Sequence, residues 1–315
     1  MSNRLKRPNS DTGIEPMKKK EKRYLFRKYL TLPSSNENYG FTIANHTMMI
    51  NGRIYVPCDG DVLRVYDLET GEYIRNITKH TAFTDTIVNG WLEDQNKGRI
   101  VFLVRKNEKG SYGIVTMEVE SGRDEIVMES YSDNYKYITS DVSIYHPSNS
   151  WVINKREQLV IAKPERFEII PLNGDQINRV SVQEYKQKHI ASIKQNSKSY
   201  YVVLFRDSDG VVYDENFQLL FHFNTHISPI PALHGKHVME IDPFDNIYIQ
   251  FVRNEMHMVR YDADGKFNRF MLRYSRHENR AEDVVFYNNS LYKRSGYSFY
   301  KSNPIFETEC FPCFK

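Results

Sequence analysis

Gly52 to Ile77 reads GRIYVPCDGDVLRVYDLETGEYIRNI, and its short apolar runs separated by turn residues decide the fold. Ile54, Tyr55 and Val56 are β-branched and aromatic, the composition of a pleated strand. Asp59-Gly60-Asp61 turns the chain, because glycine adopts positive φ without a Cβ penalty. Val62 to Tyr66 is the next strand, Asp67 to Gly71 the next turn, and Tyr73, Ile74 and Ile77 begin another strand. With a leading strand at Thr47 to Ile50, the unit is a four-stranded antiparallel meander. One such sheet cannot cover both of its apolar faces, so it must stack on similar units.

Weaker copies recur toward the C-terminus. The last turn of the unit ends at Gly71 in VYDLETGEYI, Gly122 in TMEVESGRDEI, Gly174 in IIPLNGD, Asn216 in VVYDENFQLL, Gly265 in VRYDADGKFNRF and Asn303 in FYKSNPIF. Asparagine is the next best residue after glycine for a left-handed backbone. The intervals of 51, 52, 42, 49 and 38 residues fall near the ~40–50-residue spacing of propeller blades. Units are expected over 40–80, 81–131, 135–181, 188–225, 235–273 and 281–311.

Val238 to Leu272, with its Asp-Pro-x-Asp-Asn-Ile-Tyr run and its RYDADGKF run, resembles an NHL-type blade. LRVYDLETGEYI resembles WD40- and quinoprotein-like blades, although no regular Gly-His…Trp-Asp signature accompanies it. These resemblances imply an all-β fold, a single β-propeller of six four-stranded blades over residues 24–315, with seven blades as the alternative. A β-sandwich or barrel is the competing reading of short strands and turns.

The formal net charge of +3 hides an asymmetry. Residues 1–28 hold ten Lys/Arg against three Asp/Glu, which leaves −4 on the remainder. Residues 1–23 are polar, charged and interrupted by proline, and are expected to be a disordered basic tail. Lys6-Arg7, then Lys18, Lys19, Lys20, Lys22 and Arg23 after ten intervening residues, resembles a bipartite nuclear localisation signal, which implies an import receptor and a nuclear location, with the cytoplasm as the alternative. Tyr24 to Leu32 can be a helix or the strand by which one terminus pairs with the last blade and removes an exposed edge. No apolar stretch follows Met1 and no run approaches 18 apolar residues, so neither a secretory signal nor a membrane span is expected. Three cysteines, Cys58, Cys310 and Cys313, make no disulfide framework, and Cys310-Phe-Pro-Cys313 has no second pair for zinc.

Catalytic signatures are sparse. No G-x-S-x-G elbow, P-loop or G-x-G-x-x-G occurs. His222, His226, His234 and His237 crowd one loop region but have no carboxylate close in sequence. Asp85, Asp141, Glu240, Glu282 and Asp283 sit at blade starts, where a central channel could hold a divalent cation for hydrolysis. The basic-aromatic run Lys266 to Arg280 carries Lys266, Arg269, Arg273, Arg276 and Arg280 among Phe267, Phe270 and Tyr274, the combination that single-stranded nucleic acid binding needs. Plain strand alternation puts Arg269, Met271 and Arg273 in one row. The expected function is a non-enzymatic platform for a protein or peptide partner, without a cofactor. An RNA- or single-stranded DNA-binding propeller and a metal-dependent hydrolase are the alternatives.

Overall fold

The computed structural model describes residues 26–32, 47–58, 62–77, 87–94, 97–105, 111–121, 124–132, 150–163, 165–173, 176–182, 190–205, 209–224, 236–252, 255–275, 283–288, 290–295 and 298–302. β1 (Phe26–Thr31) precedes β2 (Met48–Ile50), β3 (Arg53–Cys58), β4 (Val62–Asp67) and β5 (Tyr73–Ile77), and the last four form one antiparallel sheet. β6 (Ile87–Asp94), β7 (Arg99–Arg105), β8 (Ser111–Glu118) and β9 (Asp124–Ser132) form the next. A third contains β10 (Trp151–Ile153), β11 (Gln158–Lys163), β12 (Arg166–Pro171) and β13 (Asn178–Ser181). The fourth is β14 (Ile190–Gln195), β15 (Tyr201–Phe205), β16 (Asp209–Tyr213) and β17 (Leu219–Asn224). β18 (Lys236–Ile241), β19 (Ile247–Val252), β20 (Glu255–Tyr261) and β21 (Phe267–Ser275) make the fifth. In the last, β22 (Asp283–Tyr287), β23 (Ser290–Ser295) and β24 (Ser298–Ser302) are completed by β1 as the outer strand.

The first strands of the sheets are spatial neighbours in chain order, β2 beside β6, β6 beside β10, β10 beside β14, β14 beside β18 and β18 beside β22, and β22 returns to β2. The chain is therefore a single β-propeller. Among the described residues no helix is long and apolar enough to cross a membrane.

Alternation along each strand explains the stacking. Tyr55, Leu63 and Val65 pack with Ile100, Phe102 and Val115 of the second sheet. Ile54, Val56 and Tyr66 pack the other way, against Val285, Tyr292 and Phe299 of the last sheet. Both faces of a blade are thus apolar, and the strands read as near-continuous apolar runs with period two hidden inside them. Val101, Ile114 and Ile161 join the second sheet to the third, Val160, Phe167 and Val203 the third to the fourth, and Val202, Ile249 and Val259 the fourth to the fifth.

Of the two readings of Tyr24 to Leu32, helix or outer strand of the last sheet, the strand is observed over β1, with Phe26 opposite Ser302 and Thr31 opposite Ser298. Leu32, 1% exposed, then inserts among Met49, Tyr66 and Leu68, so the clasp also seals the last sheet to the first.

Two sequence expectations are corrected. Gly71 and Gly265 hold positive φ as expected, but in VVYDENFQLL the left-handed residue is Phe217 (φ 63°), not Asn216. Asp214 heads a five-residue turn closed by its N–H on the Gln218 carbonyl, and the left-handed fourth position of that turn is Phe217. Gly122, Gly174 and Asn303 lie outside the described residues. In β21 the pairing steps from Val259–Phe270 to Met258–Leu272. That shift inserts one extra residue, so the alternation that would align residues 269, 271 and 273 is interrupted.

Candidate interaction face

In a four-stranded meander the first and third turns lie at one end and the second turn at the other. Five of these same-end turns share one local chemistry. Asn154, Asn196, Asp214, Asp242 and Asp262 each donate their N–H to the carbonyl four residues on, at 2.9, 2.9, 2.9, 3.0 and 2.9 Å. The side-chain oxygen of each accepts two backbone N–H groups, two and four residues on, for example Lys198 at 3.0 Å and Tyr200 at 2.8 Å on Asn196 Oδ1. This is an Asx turn that substitutes for a backbone turn. The fourth residue is left-handed in every copy: Glu157 (59°), Ser199 (67°), Phe217 (63°), Asp245 (66°) and Gly265 (74°). Asp67 heads a version one residue longer, its Oδ1 accepting from Glu69 and Thr70 at 2.9 and 2.8 Å. Those backbone donors, the Thr70 N–H above all, hold the Asp67 carboxyl below its ordinary range.

The first turns are tied to neighbouring sheets from the last sheet through the first to the fifth. The Tyr287 hydroxyl accepts the Gly52 N–H at 2.8 Å, joining the last sheet to the first. Asn51 packs so closely on Gly98 that a Cβ there would meet its Nδ2 at 2.6 Å. Lys97 and Arg99 of the second sheet reach Glu157 of the third at 3.0 and 3.1 Å. The hydrogen bond from Lys97 is the chief reason the Glu157 carboxyl is held below the usual glutamate range. Asn154 donates to the Tyr201 hydroxyl at 3.0 Å, and the Lys155 N–H to Gln195 Oε1 at 2.9 Å. The Lys155 ammonium also donates to the Ser197 carbonyl. Arg156 pairs with Glu215 at 2.7 Å. Ser197 then grips Asp245 of the fifth sheet twice, N–H to Oδ1 at 2.6 Å and Oγ to Oδ2 at 2.9 Å.

The side chains exposed on these first turns are Asn51, Lys97, Lys155, Arg156, Ser197, Lys198, Pro243, Phe244 and Asn288 among the described residues. Arg156, Lys198 and Phe244 occupy the same third position of the Asx turn in three successive sheets. Phe244 is 57% exposed on a rigid base. Asp242 beneath it is buried and accepts four hydrogen bonds, from Phe244 N, Asn246 N, Asn246 Nδ2 and the Tyr248 hydroxyl, at 2.9, 2.9, 2.7 and 3.0 Å. The result is a preorganised face that is basic near Arg156 and Lys198 and apolar at Pro243-Phe244, on a body of net negative charge.

These residues were not singled out from the sequence. Their signal is nonetheless there: NKREQLVI, NSKSYYVVL and DPFDNIYI each place Asn or Asp four or five residues before a strand.

The sequence candidates lie elsewhere. Glu240 on β18 is paired with Lys194 of β14 at 2.9 Å, so an ammonium from the neighbouring first strand stands at this carboxylate. Asp283 opens β22, while Asp85, Asp141 and Glu282 lie outside the described residues. No group of three or more His, Cys, Asp or Glu side chains is arranged to hold a metal ion among the described residues. Lys266 is exposed just after the Gly265 turn, Arg269 and Arg273 are in β21 opposite Arg260 and His257, and Arg276 and Arg280 fall outside the described residues. His222 is exposed on β17, His237 is in β18, and His226 and His234 are outside, as are Cys310 and Cys313. Lys6, Arg7, Lys18, Lys19, Lys20, Lys22 and Arg23 are likewise outside the described residues.

No protein family matches the chain, and no curated protein is similar to it in sequence. A solved structure, the crystal structure of BamB from Moraxella catarrhalis, is similar with a TM-score of 0.44 and 10% identity, over 82% of this chain and 71% of that one.

Proposed function

We propose that the protein is a non-enzymatic, six-bladed propeller that binds a protein or peptide partner on the ring of first turns. The observation that carries this reading is the turn-to-turn stitching. The ties are hydrogen bonds, ion pairs and one close packing contact between different blades, and together they hold Arg156, Lys198 and Phe244 in fixed relation before any partner arrives. Preorganisation lowers the ordering cost of binding, and an exposed aromatic beside cations is the composition of an interface anchor. The partner that complements such a face is an acidic segment carrying an apolar side chain. Six blades are supported by the return of β22 to β2, which among the described residues gives every inner strand a neighbour on either side. The bipartite basic clusters support a nuclear location and recognition by an import receptor.

The test is affinity capture from nuclear extract with the full chain and with a variant carrying Arg156→Glu, Lys198→Glu and Phe244→Ala, each with and without nuclease. A set of proteins retained through nuclease treatment and lost from the variant is expected. Retention of the same set by the variant overturns the face. Loss on nuclease treatment instead favours the nucleic-acid alternative.

A further inference from the structure

The opposite end of the third blade carries a cluster that the interaction face does not use. Glu168 of β12 has a side chain only 1% exposed, and three cations reach it: Lys163 Nζ at 2.9 Å, Arg166 Nε at 2.8 Å and Arg179 Nε at 3.2 Å. Lys163 is itself 6% exposed. A buried carboxylate beside a buried ammonium is a matched pair, and the desolvation of each is offset by the other. The two guanidiniums share that same carboxylate with Lys163. Their side chains are 36% and 59% exposed, so they lie at the rim of the pair.

The register explains how they meet. Arg166 and Glu168 are two apart on β12, and Arg179 of β13 is directly opposite Glu168. All three therefore share one face of the sheet, with the arginines as diagonal neighbours. Both donate through Nε to the same Oε1 of Glu168. That shared anchor sets both guanidinium planes and leaves their Nη hydrogens uncommitted among the described residues. Ser181, opposite Arg166 and exposed, adds a neutral hydroxyl to the same face.

We propose that Arg166 and Arg179 form a binding site for a phosphate monoester dianion. The charge match selects this class of ligand. The three cations that share the Glu168 carboxylate outnumber it by two, and a phosphate monoester carries about −1.5 to −2 at pH 7. A single carboxylate would leave one cation unmatched. Planar forks held at a fixed angle also suit the bidentate recognition of phosphate oxygens. Glu168 acts here as a positioning residue. It orients the forks and does not touch the ligand. The site is independent of the turn-ring reading, since it lies at the other end of the blade.

The experiment is calorimetric titration of the full chain with inorganic phosphate, N-acetyl-O-phosphoserine methylamide and the unphosphorylated amide. Three proteins are compared: the unaltered chain, Arg166→Gln/Arg179→Gln and Arg166→Lys/Arg179→Lys. All retain the basic N-terminal segment, so differences between them report the arginine pair alone. The expected result is binding of both phosphate ligands, none of the unphosphorylated amide, and at least a tenfold loss in the Gln pair. The Lys pair keeps both charges but not the forks. It is expected to fold, as read by circular dichroism, and to bind several-fold more weakly than the arginines. It therefore keeps the test decisive should the Gln pair fail to fold. Binding of inorganic phosphate without the phosphoserine amide would assign the site to free phosphate rather than a modified side chain. Equal phosphate affinity in the unaltered chain and the Lys and Gln pairs, or no phosphate binding by the unaltered chain, overturns the proposal.

Discussion

Gly71 and Gly265 both hold positive φ, 76° and 74°, yet their surroundings differ. A Cβ at Gly71 would rest 3.6 Å from Leu30 Cβ, ordinary contact, whereas at Gly265 it would meet Phe221 Cε2 at 2.7 Å and Phe223 Cβ at 2.9 Å. Gly71→Ala should therefore cost about 1 kcal/mol, the left-handed penalty alone. Gly265→Ala adds overpacking of about 1–3 kcal/mol. Chemical denaturation of both variants checks the order, and equal losses would contradict the packing at Phe221 and Phe223. Glu157 supplies a second residue-scale test. Its carboxyl is held below the ordinary glutamate range, first by the Lys97 hydrogen bond. A depressed folded-state pKa means that its contribution to stability is complete above the unfolded-state value and is lost as pH falls through the folded-state value. Lys97→Met should move the Glu157 titration upward in a carboxyl-detected NMR experiment, and an unmoved midpoint would show that the ion pair is not formed in solution.

At the scale of elements, the Asx turns and the clasp make different demands. Asn196 is buried, and its Oδ1 satisfies the N–H groups of Lys198 and Tyr200. Asn196→Ala strands those donors at a cost of about 1–3 kcal/mol, while Asn196→Asp, which keeps the acceptor, should lose less. Thermal melts of the two variants decide this, and an Asp variant as unstable as the Ala variant would mean that the Nδ2 donor matters more than the turn. β1 stabilises through pairing and through burial. Deleting residues 1–32 would expose β24 as a free edge and empty the Leu32 site. Truncating Leu32 alone to Ala should cost about 2–5 kcal/mol. The full deletion is expected to give concentration-dependent association by light scattering, since an unpaired strand edge recruits other chains.

For the whole molecule, the charge asymmetry separates the two ends of the argument. The basic clusters precede β1 in the sequence and lie outside the described residues; on the reading of residues 1–23 as a disordered signal-bearing tail, their deletion should leave the melting temperature unchanged and move a fluorescent fusion out of the nucleus. Undiminished nuclear accumulation would remove the bipartite signal from the account. The propeller itself is held by burial between blades, with Val101 and Ile161, or Val203 and Phe167, meeting across neighbouring sheets. Such contacts bind each blade chiefly to its two neighbours.

What the sequence determined by itself was local. Period-two apolar runs, Gly71 and Gly265 at φ-demanding positions, and the spacing of the turns were enough for a propeller, because these features depend on a residue and its near neighbours, whereas the choice between helix and outer strand for residues 24–32 fell to the pairing of β1 with β24. Tertiary structure decided the rest. Phe217 takes the left-handed position because Asp214 N–H and the Gln218 carbonyl close the turn around it. Glu240 meets Lys194 only because β14 and β18 are adjacent in the ring. Ser197 meets Asp245, and Arg179 meets Glu168, through pairings that span 48 and 11 residues. No local pattern encodes which side chains a blade's neighbour will present. The stitched face therefore became visible only once the sheets were stacked, and the arginine pair once β12 and β13 were in register.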